Sequence, residues 1–80
     1  MNEQAIEQFL NTKYSAESSM IIQVINNMKY CIYGGYFQLI KMMSDNFGID
    51  ISEIKTCIGN DKDKWYCVID KELFDHVVLS

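Results

Sequence analysis

Apolar residues recur at helical spacing in the middle of the chain. Between Tyr36 and Phe47 they lie three or four positions apart, which places them on one side of a helix. Gly48 follows directly, and glycine commonly takes the left-handed position just after the last turn of a helix. The pattern therefore predicts a helix over 36–47.

The first residues repeat this pattern over a shorter length. Ile6 and Leu10 share a helical face, Asn2 stands where an N-cap is needed, and the apolar spacing stops near Lys13. We expect a first helix that ends there. The serine-rich stretch 14–19 fits either a connection or the capped start of a second helix.

Residues 20–33 satisfy two patterns at once. Five apolar side chains fall within about a third of a helical wheel; they are Ile21, Val24, Ile25, Met28 and Ile32. This stripe favours a helix capped by Gly34. The alternative is a β-hairpin, because β-prone strings flank Asn26-Asn27, a pair able to adopt the left-handed conformations of a tight turn. Both interpretations stay open, with the helix preferred.

The last third of the chain predicts a hairpin. Asp50 can cap a short helical turn, and residues 56–58 and 65–69 have the composition of strands, joined by the polar loop 59–64. The tail, 71–79, fits a last helix or a third strand. Residues 1–80 are thus expected to form a single small α+β domain, helix-rich, with a β-hairpin in the last third.

Composition limits the classes of partner. The chain has 80 residues, a net charge of -4 and seven lysines, and it contains no arginine. Arginine supplies the bidentate fork that reads guanine and grips phosphate, so its absence argues against a nucleic-acid partner. The apolar fraction of 49% is high for the core that so short a chain can build. We therefore expect an exposed apolar patch that binds a protein target or a second copy, giving a homodimer, and no membrane span.

Cysteine and histidine offer no recognisable chemistry. Cys31, Cys57 and Cys67 match no Cys-x-x-Cys pattern, and no charged leader with an apolar core precedes them. We expect three core thiols in a cytoplasmic protein. His76 is the only histidine, and no nucleophile turn or ligand set accompanies it. The expectation is a protein that is not an enzyme and holds neither metal nor cofactor.

One acidic segment partly matches a calcium-binding loop. Asp61, Asp63 and Glu72 occupy the first, third and twelfth positions of an EF-hand loop. The fifth position is Trp65 where an oxygen ligand is needed, and the sixth is Tyr66 where glycine makes the turn. We expect a solvated hairpin loop instead.

The segment 43–57 resembles the helix-turn-helix of DNA-binding regulators. Ser44 stands where the two helices would cross, Gly48 lies in the turn, and apolar residues surround both; these are Met43, Phe47, Ile49, Ile54 and Cys57. The resemblance implies DNA contacts by three residues of the second helix, namely Ser52, Lys55 and Thr56. Asp50 and Glu53 would face the phosphates beside them, so DNA binding is kept as the alternative function.

Aromatic residues around Gly34-Gly35 are the candidate protein-binding surface. Tyrosine supplies a large contact area at low entropic cost, as interface anchors often do, and the candidates are Tyr30, Tyr33, Tyr36 and Phe37. The leading hypothesis is a small acidic regulatory or inhibitory protein that acts by protein-protein binding. Short acidic chains of this kind are often carried by phages and mobile elements as inhibitors of host defence. The identity of the partner does not follow from the sequence.

Overall fold

Four helices and four strands make up the described part of the chain. The computed structural model describes residues 3–14 and 19–79. The elements are α1 (Glu3–Lys13), β1 (Ile21–Ile25), β2 (Lys29–Gly34), α2 (Tyr36–Phe47), α3 (Ile51–Cys57), β3 (Gly59–Asp61), β4 (Lys64–Asp70) and α4 (Lys71–Val77). The α+β class, the helix-rich content and the hairpin in the last third are confirmed.

The strands form one antiparallel sheet in the order β1-β2-β4-β3. Ile22 pairs with Ile32, which pairs in turn with Cys67. Residues opposite each other on neighbouring strands point to the same side of a sheet. All three are buried in the core, so this row marks the side of the sheet on which the helices pack.

Residues 20–33 form a β-hairpin, and the preferred helix is wrong. The Met28 N–H donates to the Ile25 carbonyl at 3.2 Å. Between them Asn26 and Asn27 have φ angles of 45° and 62°, the two positive angles that a type I′ turn requires. The helical stripe failed because its members do not share a side: Ile32 is buried, whereas Ile25 and Met28 are exposed.

The second hairpin begins three residues later than the sequence suggests, and its loop is 62–63 instead of 59–64. Residues 56 and 57 were expected to begin a strand, but they complete α3, and the strand begins at Gly59. The helix continues because Ile54 packs into the core from within it. The strands β3 and β4 are joined at Lys62 and Asp63, and Lys62 has a φ of 62°.

The other segments whose structure was predicted or left undecided are helices. The tail forms α4 after Asp70, so of the two alternatives for 71–79 the helix is the observed one. The predicted bounds of α2 are confirmed, with Gly48 in the left-handed region at a φ of 62°. The end of α1 at Lys13 is confirmed as well. The capping role of Asn2 and a helix start at residue 15 lie outside the described residues.

One hydrophobic core joins these elements. It takes side chains from each of the four described helices and from β1, β2 and β4; the fully buried members with the largest side chains include Ile6, Leu10, Tyr30, Ile32, Leu39, Met42, Ile54 and Phe74. Among residues 3–14 and 19–79, no helix combines the length and the apolar character needed to cross a bilayer.

Side chains of α1 occupy the outer edge of the sheet. Asn11 accepts a hydrogen bond from the Met20 N–H at 2.7 Å and donates to the Met20 carbonyl at 3.0 Å. The Glu7 carboxylate accepts a hydrogen bond from the Ile22 N–H at 3.4 Å. These are backbone groups at the start of β1 that a further strand would otherwise use.

Candidate functional site: the aromatic corner and the open face of the sheet

Tyr30, one of the four predicted surface residues, lies in the core. Its side chain is 1% exposed, and its ring packs edge-on against Phe74 at a centroid distance of 5.2 Å. The Tyr30 hydroxyl donates to the Asp75 carboxylate at 3.1 Å. Burial, followed by the hydrogen bond to Asp75, raises the pKa of Tyr30 to about 12. A residue so enclosed presents no ring to a partner, and the predicted surface must be corrected to exclude it.

Tyr33 lies on the side of the sheet opposite to the helices. It pairs with Tyr66 across the two central strands, with the ring centroids 5.9 Å apart. The Lys64 ammonium nitrogen is 5.9 Å from the centre of the Tyr33 ring. A hydrogen bond with the Cys31 thiol is the main reason why the pKa of Tyr33 is raised above its usual value. Tyr33 is therefore separated from Tyr30 by the thickness of the sheet.

Tyr36 and Phe37 form a third location together with Trp65, which the sequence did not single out. The Tyr36 ring stands edge-on to Trp65 at 4.8 Å and to Phe37 at 5.5 Å. Phe37 is 69% exposed. We call Tyr36, Phe37 and Trp65 the aromatic corner. The pairing of β2 with β4 puts Trp65 opposite Gly34, a non-local contact that sequence spacing does not reveal.

Gln38 fixes the start of α2 and with it the aromatic corner. Its Oε1 accepts a hydrogen bond from the Gly35 N–H at 2.7 Å, and its Nε2 donates to the Tyr14 carbonyl at 2.6 Å. A Cβ at Gly34 would approach Oε1 of Gln38 at 3.2 Å and Cγ of Met20 at 3.3 Å, which is tighter than most such contacts. Glycine at this position thus permits the close turn that leads from β2 into α2.

The side of the sheet that carries Tyr33 has no described helix packed over it. We call it the open face; the strand register assigns to it Ile21, Gln23, Ile25, Lys29, Cys31, Tyr33, Asp61, Lys64, Tyr66, Val68 and Asp70. Alternation along β1, exposed at Ile21, Gln23 and Ile25, is the local signal that could have revealed it. Cys31 is buried in the middle of this face.

The segment 43–57 folds as a helical corner, with α2 and α3 joined through Gly48. The residues that the resemblance assigns to DNA contact are exposed on α3. Two of them already make hydrogen bonds to neighbouring residues. The Ser52 hydroxyl donates to the Asp50 carboxylate at 2.9 Å, and the Thr56 hydroxyl donates to the Glu53 carbonyl at 2.7 Å. Lys55 is thus the one cation that this short helix offers to a phosphate, and DNA contact stays a prediction.

The thiols are not all alike. Cys31 and Cys67 are buried, but Cys57 is exposed at the end of α3, so the expectation of three core thiols is wrong at Cys57. Burial raises the pKa of the Cys67 thiol to about 12, which keeps it protonated and unreactive. Within residues 3–14 and 19–79, no group of three or more histidine, cysteine, aspartate or glutamate side chains is placed to hold a metal ion.

Comparisons with protein families, with curated proteins and with solved structures find no match to this chain. The architecture defines a small two-layer α+β domain, with helices on one side of an antiparallel sheet.

Proposed function

We propose that this chain is a small acidic regulatory or inhibitory protein that binds another protein through the aromatic corner. The observation that carries the proposal is Phe37, which is 69% exposed at the start of α2 beside the packed rings of Tyr36 and Trp65. Monomeric surfaces tolerate single apolar side chains, but a cluster of large rings on a fixed support is typical of an interface anchor.

The rigid first turn of α2 favours binding through Phe37. The hydrogen bonds of Gln38 to Gly35 and Tyr14 hold the first turn of α2, so little conformational entropy remains to be lost there on binding. Full burial of a phenylalanine side chain is worth about 2–3 kcal/mol. That amount, on one residue, is enough to make Phe37 the dominant contact of an interface.

Charge suggests the chemistry of the partner. The net charge of -4 favours approach to a basic surface over an acidic one, and it slows association with nucleic acid. Both this charge and the phage-inhibitor hypothesis favour a basic protein as the target, such as a nucleic-acid-processing enzyme of a host defence system. A cytoplasmic location with reduced thiols belongs to the same proposal.

Phe37→Ala tests the proposed anchor. The partner is first captured with the tagged chain from the source cell and identified by mass spectrometry, and its affinity is then measured with purified proteins by calorimetry. We expect Phe37→Ala to weaken binding by 10-fold or more, because about 1.4 kcal/mol corresponds to a factor of ten. Tyr36→Ala is expected to weaken it too, because Tyr36 packs against Phe37 in the same corner.

Met28→Ala is the matched control for Phe37→Ala. Met28 is 71% exposed in the turn between β1 and β2, so its truncation removes a comparable apolar side chain from a different surface. Circular dichroism is used to check that each variant keeps the fold. Equal affinity of Phe37→Ala and the unaltered chain would overturn the assignment of the aromatic corner.

The helical corner of α2 and α3 supports the DNA-binding alternative, and an electrophoretic shift separates the two functions. With the inhibitor function, no DNA fragment is retarded at low salt. Retardation that is lost as salt rises, and that is lost in Lys55→Glu, would support a DNA-binding regulator instead, because phosphate contacts are the salt-dependent part of such binding. The exposed hydroxyls of Ser52 and Thr56 would be the next residues to change.

A further inference from the structure

We propose that the open face of the sheet is the contact surface of a homodimer, covered by the open face of a second copy of this chain. This goes beyond the proposed function, which rests on the aromatic corner. A two-fold axis brings one patch against itself, so a single apolar face is sufficient to make a closed pair. Four features of the open face support a second copy as its occupant.

The first is an apolar patch that spans three strands. Ile21, Tyr33 and Tyr66 lie directly opposite one another, and Val68 lies opposite Cys31 in the next row. Seven large apolar residues are exposed in the described part of the chain, and three of them lie on the open face: Ile21, Ile25 and Val68. Tyr33 and Tyr66 add two half-exposed rings at one end. An antiparallel sheet whose second side faces water normally carries polar residues there, so this pattern indicates a covered surface.

The second is the cancellation of charge. Four charged residues lie on the open face, and two are lysines and two are aspartates: Lys29, Lys64, Asp61 and Asp70. The net charge of -4 therefore belongs to the rest of the molecule. Two copies with a net charge of -4 each repel each other overall, and contact through the open faces adds no further repulsion.

The third is the position of these charges. Lys29 lies beside Asp70 with 3.8 Å between the ammonium nitrogen and the carboxylate oxygen, and Lys64 pairs in register with Asp61 at the opposite end of β4. Each end of the face thus presents both signs. A second copy can place its lysines beside these aspartates while the apolar patch stays in the centre, which is the usual arrangement of an interface.

The fourth is area. Strands of three to seven residues, spaced about 4.8 Å apart with about 3.3 Å per residue, cover on the order of 350 Å² in projection. Two such faces with their side chains bury roughly 1,000 Å² in all, which is the lower end of what a specific dimer requires. Sheets stacked face to face in this way lie about 10 Å apart. The dimer is therefore expected to be weak, with a dissociation constant in the micromolar range.

Sedimentation of the purified chain tests the dimer without any partner protein. Sedimentation velocity is measured from about 1 μM to 1 mM, and we expect a shift from monomer to dimer over this range. Val68→Lys places a charge in the apolar patch, where Val68 is 44% exposed, and it is expected to weaken dimerisation at least 10-fold. Ile21→Thr keeps a β-branched side chain in β1 and is expected to weaken it by a smaller factor.

Ile51→Lys is the matched control for Val68→Lys. Ile51 is 50% exposed on α3, outside the open face, so the same charge is introduced at similar exposure. Its dissociation constant should equal that of the unaltered chain. A monomer throughout the concentration range, an unchanged dimer in Val68→Lys, or equal weakening by Ile51→Lys would each overturn the proposal.

The two proposals fail separately. Phe37→Ala is expected to leave dimerisation unchanged, because Phe37 lies in the aromatic corner and not on the open face. Loss of partner binding in Phe37→Ala with an intact dimer supports both assignments. If the unaltered chain is a monomer and still binds its partner through Phe37, the dimer proposal is overturned and the proposed function stands.

Discussion

Tyr30 connects two distant parts of the chain through one hydroxyl group. Its ring contacts Phe74 and its hydroxyl donates to Asp75, both on α4. The raised pKa of about 12 means that the folded chain holds this proton more firmly than the unfolded chain does. Tyr30, which the sequence suggested as an interface anchor, thus connects β2 to α4.

The alkaline limit of stability follows from this proton. An unfolded tyrosine loses its proton near a pKa of 10.0, whereas Tyr30 keeps it to about 12. Between these values the unfolded state binds fewer protons, so the free energy of unfolding falls as pH rises, by at most about 3 kcal/mol from this group. Below pH 10 the contribution is complete. Urea titrations from pH 8 to 12 should show a smaller decline in Tyr30→Phe than in the unaltered chain, and parallel declines would contradict the assignment.

At the scale of elements, prediction succeeded where local signals agreed. The helix α2 could be read from apolar spacing and from Gly48, because its start, its buried side and its end are all set within 13 residues. The hairpin at 21–34 could not be predicted from local sequence, since its apolar residues fit a helical stripe and a strand alternation equally well. The choice is made by pairing of β2 with β4, more than 30 residues further along the chain. The aromatic corner was half predicted for the same reason: Tyr36 and Phe37 are local, and Trp65 is not.

The turn between β1 and β2 offers a direct test of the element that the sequence left open. Asn27 has a φ of 62°, which asparagine tolerates, glycine adopts freely and alanine resists. We expect Asn27→Ala to lower the free energy of unfolding by about 1 kcal/mol and Asn27→Gly to keep or slightly raise it. Chemical denaturation gives both values. In a helix the order would be reversed, because alanine is the best helix former and glycine among the worst.

The whole molecule has a single core, which each of the described helices enters. Chains of this size have a free energy of unfolding of roughly 4–12 kcal/mol, and small domains with one core usually unfold in a single cooperative transition. Local structure at the aromatic corner should therefore disappear together with the helices. This expectation is testable because Trp65 is the sole tryptophan of the chain.

Two probes of one denaturation experiment check the single core. Trp65 fluorescence reports on the aromatic corner, and far-ultraviolet circular dichroism reports on the four described helices. At a fixed protein concentration the two urea midpoints should coincide. Phe74→Ala removes a fully buried ring and should lower the free energy of unfolding by about 3–5 kcal/mol. Both midpoints should then fall together, or the variant should fail to fold. Separate midpoints in the unaltered chain would mean that the core is divided.

The side chains of Asn11 and Glu7 at the margin of β1 have a consequence for self-assembly. They already bond to the backbone of Met20 and Ile22, so an incoming strand finds those groups taken. The strand at the other margin, β3, has only three residues and gives little length for a new ladder. Growth of the sheet by strands from other copies is therefore disfavoured at these two places, which lowers the tendency of the protein to form fibres.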